Sequence, residues 1–263
     1  MPGLKDVTIS GGYKSLVRVD DNTGVGSSAV QCTDGDGNKA PIKMGKNLLQ
    51  VQPADTDGTC FDVNTSGGTN RFRVNTSTPF VTALGNHVNT QYAYFGITTA
   101  DSSGAVAGTH YPLIFGNGGS GIAMGDQANH FGTGTDPATS FTTAAATDQT
   151  ASELIRYMMY VPDDISIDAV YSIEGADAAT GDTTRFHLMS YTFNSGSTSC
   201  LTSGTLVAHS DDTTNAGSEQ VYKSTWNIDN ASVAGGKVLI CTFESDSVNS
   251  DFSYQAIIKY HLV

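Results

Sequence analysis

The chain has 263 residues, enough for two modest domains or one large one, and its 26 acidic against 13 basic residues give a net charge of −13. A polyanion repels nucleic acid phosphates and anionic membranes, so neither is an expected partner, and no stretch approaches the ~20 apolar residues of a membrane span. Helix formers are scarce while 29 glycines and many Ser, Thr, Asn and Asp residues supply turns, which points to an all-β chain of short strands.

In chain order, the opening Met1-Pro2-Gly3-Leu4-Lys5-Asp6 has no basic region followed by an apolar run, so it does not read as a secretory leader. Residues 1–12 end in Gly11-Gly12 and read as a loosely held arm, in which Leu4, Val7 and Ile9 are the apolar candidates for attachment to a larger partner. A strand-like run covers Tyr13 to Asp20, and turn signals follow at Asp21-Asn22-Thr23-Gly24 and Thr33 to Asn38. Asp34-Gly35-Asp36-Gly37-Asn38 spaces oxygen ligands like the start of a calcium loop. It then departs, with Lys39 where Gly is needed and Gly45 where a bidentate Glu would close the site, so a turn without metal is expected.

Residues 47–95 carry the clearest regularity. Phe61-Asp62-Val63-Asn64-Thr65-Ser66 recurs eleven residues later as Phe72-Arg73-Val74-Asn75-Thr76-Ser77. Phe and Val stand two apart in each copy and so share one side of a strand. A unit this short cannot bury its apolar face alone. Three chains around one axis would place Phe61, Val63, Phe72 and Val74 in a common core; the other reading is a β-meander within one chain.

Residues 96–150 are rich in Gly, Thr and Ala and read as a connecting region, with a short helix at Thr142 to Glu153. Residues 151–263 read as a β-sandwich or jelly-roll head with strands at Leu154–Val161, Ile165–Glu174, Thr184–Phe193, Thr205–His209, Gln220–Ile228, Lys237–Phe243 and Phe252–Val263. The expected divisions are therefore an arm and first β segment at 1–46, a stem at 47–95, the connection at 96–150 and the head at 151–263.

Catalytic signals are weak. Gly119-Ser120-Gly121 lacks the spacing of a nucleophile elbow, and Gly116–Gly121 lacks the ending of a phosphate loop. The six histidines have no zinc-like spacing, and His187 and His261 lie within strands, where a structural role is expected. Neighbouring carboxylates such as Asp163-Asp164 and Asp211-Asp212 point apart or simply solvate. The one enzymatic class worth weighing is a glycosidase, which needs two carboxylates across a cleft. Cys32, Cys60, Cys200 and Cys241 are far apart, and Cys241 sits in the apolar run Val238–Cys241, which suggests a buried thiol. No cofactor and no metal are expected. Outward contact is placed on Asp177, Asp182, Asp211 and Asp212 of the polar loops and on Trp226, a possible sugar platform that is otherwise a core or interface residue.

Two segments carry a resemblance. Ser15-Leu16-Val17-Arg18-Val19-Asp20-Asp21-Asn22-Thr23-Gly24-Val25 with Asp34 to Met44, and Ile173 to Thr183 with Phe186-His187-Leu188-Met189-Ser190-Tyr191, resemble fibre-like structural proteins of tailed bacteriophages, especially marine ones. The resemblance implies a homotrimer on the virion surface, with an N-terminal point of attachment to a larger virion protein. It also implies a thin β-rich stem and a distal β-sandwich that meets a host glycan or protein. The chain departs from long tail fibres in having no large N-terminal tail-binding domain, so capsid and tail attachment are both open. The alternative is a carbohydrate-active β-sandwich protein that binds or cleaves sugar.

Overall fold

A computed structural model of the chain describes residues 18–19, 26–33, 38–52, 61–75, 77, 81–98, 106–116, 130–143, 151–176, 180–216, 219–246 and 252–263. It is nearly all β, with antiparallel pairing throughout the described strands. None of its described helices is long and apolar enough to cross a membrane. The chain divides into two compact units, Met1–Val88 and Asn89–Val263.

The first unit holds two small sheets. One joins β1 (Arg18–Val19), β2 (Val30–Thr33), β3 (Lys39–Gly45) and β4 (Leu48–Val51) in sequence order. The other joins β5 (Phe61–Asn64), β6 (Asn70–Val74), β7 (Val81–Ala83) and β8 (Asn86–His87), also in order. The eleven-residue repeat is thus laid out as two neighbouring strands of an antiparallel meander. A turn at 65–69 is closed by the Gly68 N–H donating to the Thr65 carbonyl, with Gly68 at φ +82°, where glycine is favoured. Because Phe61 faces Val74 and Val63 faces Phe72, all four side chains occupy one side of the sheet.

The second unit is a sandwich. Its first sheet contains β9 (Thr90–Thr98), β11 (Ile114–Phe115), β13 (Ile165–Ala176), β17 (Gln220–Thr225), β19 (Ser232–Val233) and β21 (Phe252–Leu262). The other contains β10 (Tyr111–Pro112), β12 (Met159–Tyr160), β14 (Thr183–Phe193), β15 (Leu201–His209), β16 (Thr213–Thr214), β18 (Asn227–Ile228) and β20 (Lys237–Ser245). The principal orders are β9–β21–β13–β17 and β10–β20–β14–β15. The chain therefore crosses repeatedly between sheets, as in a double-sheet jelly roll. One core lies between them: Phe95, Val170 and Ile258 from the first sheet meet Phe186, Leu188 and Phe243 from the second.

A second core covers the opposite face of the β14–β20 sheet. Met189, Tyr191, Val238 and Ile240 pack there under Phe131, Leu154 and Tyr157. The region at 96–150, expected as a connection, thus supplies Tyr111, Leu113 and Phe131 to buried positions. The compact unit opens at Asn89 rather than at residue 151, because Ala93, Phe95 and Ile97 alternate inward along β9 and β9 pairs with β21 along its length. The strand expected at Leu154–Val161 is instead a short helix α1 (Ala151–Leu154), a 3-10 turn (Ile155–Tyr157) and the two-residue β12. Leu154 and Tyr157, three apart, both face the second core, a helical spacing.

Candidate functional site

Strand alternation builds a polar enclosed region in the second unit. Along β14, Phe186 and Leu188 point into the inter-sheet core, so Arg185 and His187 point to the other face. Along β20, Leu239, Cys241 and Phe243 point inward, which places Thr242 and Glu244 beside them. Register brings the two sets together: Arg185 pairs with Glu244, and His187 with Thr242. One end of this sheet face is therefore charged, whereas the other end, at Met189 and Tyr191, is apolar.

His110 closes over this polar end. Its ring meets that of His187 edge to face, with centroids 4.8 Å apart. His110 Nε2 lies 2.8 Å from the Gly134 carbonyl, and a carbonyl can only accept, so the proton sits on Nε2 and Nδ1 is left as an acceptor. His110 Nδ1, His187 Nδ1 and Thr242 Oγ1 are buried without a hydrogen-bond partner. Burial first, then the neighbouring His110, Arg185 and His209, pull the His187 pKa down to about 3; burial likewise lowers that of His110. Both rings are neutral at pH 7. Glu244 Oε2 lies 3.8 Å from His110 Nε2 and Asp136 Oδ1 lies 3.8 Å from His187 Nε2, so carboxylates border the pair.

Glu244 and Arg185 also line a cleft of about 260 Å³ that opens among Gly108, Thr183, Asp212, Ser245 and Asp246. Arg185 Nε stands 2.8 Å from Asp212 Oδ1. Burial raises the Glu244 pKa, Arg185 lowers it, and Asp212 and Asp136 raise it further. The cleft thus holds a carboxyl group that keeps its proton more readily than usual near a carboxylate tied to a guanidinium. That pairing suits hydrogen bonding to polyhydroxylated ligands.

The expected site residues are scattered. Asp212 lines the cleft, whereas Asp211 accepts from Asn227 Nδ2 at 3.1 Å, and the Asp182 carbonyl accepts from the Asn215 N–H at 2.9 Å. Trp226, named among the outward contacts as a sugar platform with core or interface as the other readings, is a core residue at 4% exposure. Its ring stacks on Phe186 with centroids 5.5 Å apart, and its Nε1–H donates to Ser172 Oγ at 3.0 Å, which satisfies the indole where no water reaches. Phe61 and Val63 are 44% and 45% exposed. Phe72 and Val74 beside them are half-buried. Leu4, Val7, Ile9, Asp34, Asp36 and Asp177 lie outside the described residues, whereas Asn38 is exposed. Cys241 is buried as a free thiol, and Cys200 is free as well.

No family model matches the sequence, and no curated protein matches it. The polar end of this sheet face had one sequence signal: Arg185 and His187 stand two apart in a strand and share a face, but their partners Glu244 and His110 are distant in sequence.

Proposed function

We propose that this protein is a structural component of a tailed bacteriophage virion: a short homotrimeric fibre, or a capsid- or tail-attached decoration protein, that contributes to adhesion at the host surface. One observation carries the assembly part of this reading. Both small sheets of the first unit turn apolar rows to solvent. In one, Phe61–Val74–Val81 and Val63–Phe72–Ala83 run across three strands. In the other, Val30–Met44–Leu49 crosses three strands and Ile42–Val51 two, and Leu49 is 67% exposed. Soluble chains rarely leave such rows open unless another surface covers them. Identical chains around one axis bring identical rows together. The phage assignment rests on the segments around Ser15–Val25, Asp34–Met44 and Ile173–Tyr191.

In this reading residues 1–20, with Leu4, Val7 and Ile9, dock on a larger virion protein, the stem holds the trimer, and the sandwich faces a host glycan or protein. The protein works without a catalytic residue, cofactor or metal. Phe72→Ala removes a ring from the shared core and is expected to weaken assembly by about 3–5 kcal/mol per chain. Sedimentation of the wild type checks the premise: a stable, folded monomer at micromolar concentration overturns the trimer. Deleting residues 1–12 is expected to leave the trimer intact and to abolish incorporation into particles; normal incorporation overturns the role of the arm.

The cleft favours a second reading, a carbohydrate-active protein, because Glu244, Asp212 and Arg185 converge on one concavity. A glycan array read with wild type and Glu244→Gln separates the two. Sugar binding lost in the variant supports the second reading, and release of reducing sugar by the wild type would make it an enzyme.

A further inference from the structure

Among the described residues, the outer face of the β9–β21–β13–β17 sheet exposes a second apolar surface. Inward alternation of Ala93, Phe95 and Ile97 turns Tyr92 and Tyr94 outward. Pairing extends the pattern: Tyr94 faces Ile257, and Ile257 faces Tyr171, so an aromatic–aliphatic–aromatic row crosses the middle of the sheet. Ile173 and Val221 continue the apolar surface toward the other edge. Tyr92 is 54% exposed and Val221 76%.

Charge sets this face apart. The chain carries 26 acidic and 13 basic residues. Yet the cross-strand rows that pass through Tyr92, Tyr94, Ile173 and Val221 contain no carboxylate, and their charged groups are Lys223 and Lys259. Lys223 Nζ lies over the Tyr171 ring, 5.3 Å from its centroid, which holds the cation against the sheet. Copies of a polyanion repel one another through most surfaces, but less through rows that hold lysines and no carboxylate; Asp168 borders these rows and is paired with His261.

We infer that this face packs against a second copy of the chain, so that the jelly rolls of one assembly touch directly. The inference rests on the proposed assembly through the first unit, for a reason of area. Four strands about 4.8 Å apart and four rows about 7 Å apart give a footprint of roughly 400 Å². A stable interface between free proteins needs about 800 Å² per partner. The face is too small to join free copies at micromolar concentration. It suffices for copies already held together by their small sheets, because tethering turns the contact into an intramolecular one at high effective concentration. The lysines fit the same occupant, since a second copy carries a net charge of −13.

The test uses the full chain. Tyr94→Glu combined with Ile173→Glu places carboxylates on the face, and Val221→Glu, at a position open to solvent, does so without touching any packed group. The dissociation constant of the assembly, measured by sedimentation, is expected to rise at least tenfold in the double variant and by a smaller factor in Val221→Glu. Far-ultraviolet circular dichroism should be unchanged in both. An unchanged dissociation constant in both overturns the inference. Glycan binding by the wild type that both variants lose, with assembly intact, also overturns it and assigns the face to a sugar. A wild type that is monomeric at all concentrations instead rejects the proposed assembly through the first unit, a different result from the other two.

Discussion

Trp226 shows how one side chain ties the sandwich together. It enters just after β17, its backbone N–H donates to the Val170 carbonyl at 3.0 Å, and its ring lies on Phe186 of the opposite sheet. Trp226→Ala would leave a cavity and an unpaired Ser172 hydroxyl, and is expected to cost about 3–5 kcal/mol in chemical denaturation. His187 carries a pH dependence whose sign is fixed by its neutral burial. Above pH 6.5 both folded and unfolded forms are neutral, so nothing is lost. As pH falls below 6.5 the unfolded chain takes up the proton first, and stability drops until about pH 3, where the ring charges in the folded state too. The full loss is on the order of 5 kcal/mol. Its neighbour His110 is also lowered, chiefly by burial, and adds to the effect in the same direction. A melting temperature that does not fall between pH 6.5 and 4 would exclude this arrangement. Glu174 acts in the opposite sense. Burial raises its pKa against the side-chain hydrogen bonds of Thr213 and Ser224, so folding is penalised once pH rises through that raised value. Glu174→Gln is expected to raise the melting temperature at pH 7 and to change it little below pH 4.

At the scale of elements, two irregularities set the geometry. Asp168 is an extra residue in β13: Ile167 pairs with Tyr260 and Ala169 with Lys259, so the inward positions switch from 165 and 167 to 170, 172 and 174. The bulge aims the Asp168 carboxylate at His261, with Oδ1 2.8 Å from Nδ1. The last strand accordingly departs from simple alternation at its end, where His261 is buried and Leu262 exposed. The second irregularity is Gly204 in β15. A Cβ there would meet Tyr191 Cε1 at 2.6 Å and the Thr139 Cα at 2.8 Å, so the strand tolerates no side chain under the covering loop. Gly204→Ala is expected to cost about 1–3 kcal/mol by overpacking, read in the same denaturation experiment. Strand β21 lies between β9 and β13 and pairs with both along its length. Removing Tyr260–Val263 would strip partners from the centre of a sheet, and such a chain is expected to lose its cooperative unfolding transition.

For the whole molecule, the two units use apolar surface differently. The jelly roll buries its large side chains in two cores of its own, whereas the small sheets of the first unit bury few of theirs. The second unit should therefore keep its secondary structure in variants that abolish assembly. If the proposed trimer forms, Phe72→Ser in the full chain is expected to give a lighter species in sedimentation with an unchanged melting transition for the jelly roll. Loss of that transition would mean that the second unit depends on the first for its stability.

Composition and period-2 patterning determined by themselves that this chain is all β and roughly where its principal late strands lie, because those signals are local: the strands expected at 165–174, 184–193, 237–243 and 252–263 from alternation or continuous apolar runs are found at 165–176, 183–193, 237–245 and 252–262. The shared face of Phe61, Val63, Phe72 and Val74 was legible for the same reason. Tertiary structure alone decided that the compact unit opens at Asn89 and that the Gly-rich region covers a second core. It also decided that Trp226 turns inward, that His110 meets His187 and that Arg185 and Glu244 share one cleft. Each of these depends on pairing between residues far apart in the chain, which sheet register fixes and local pattern does not carry.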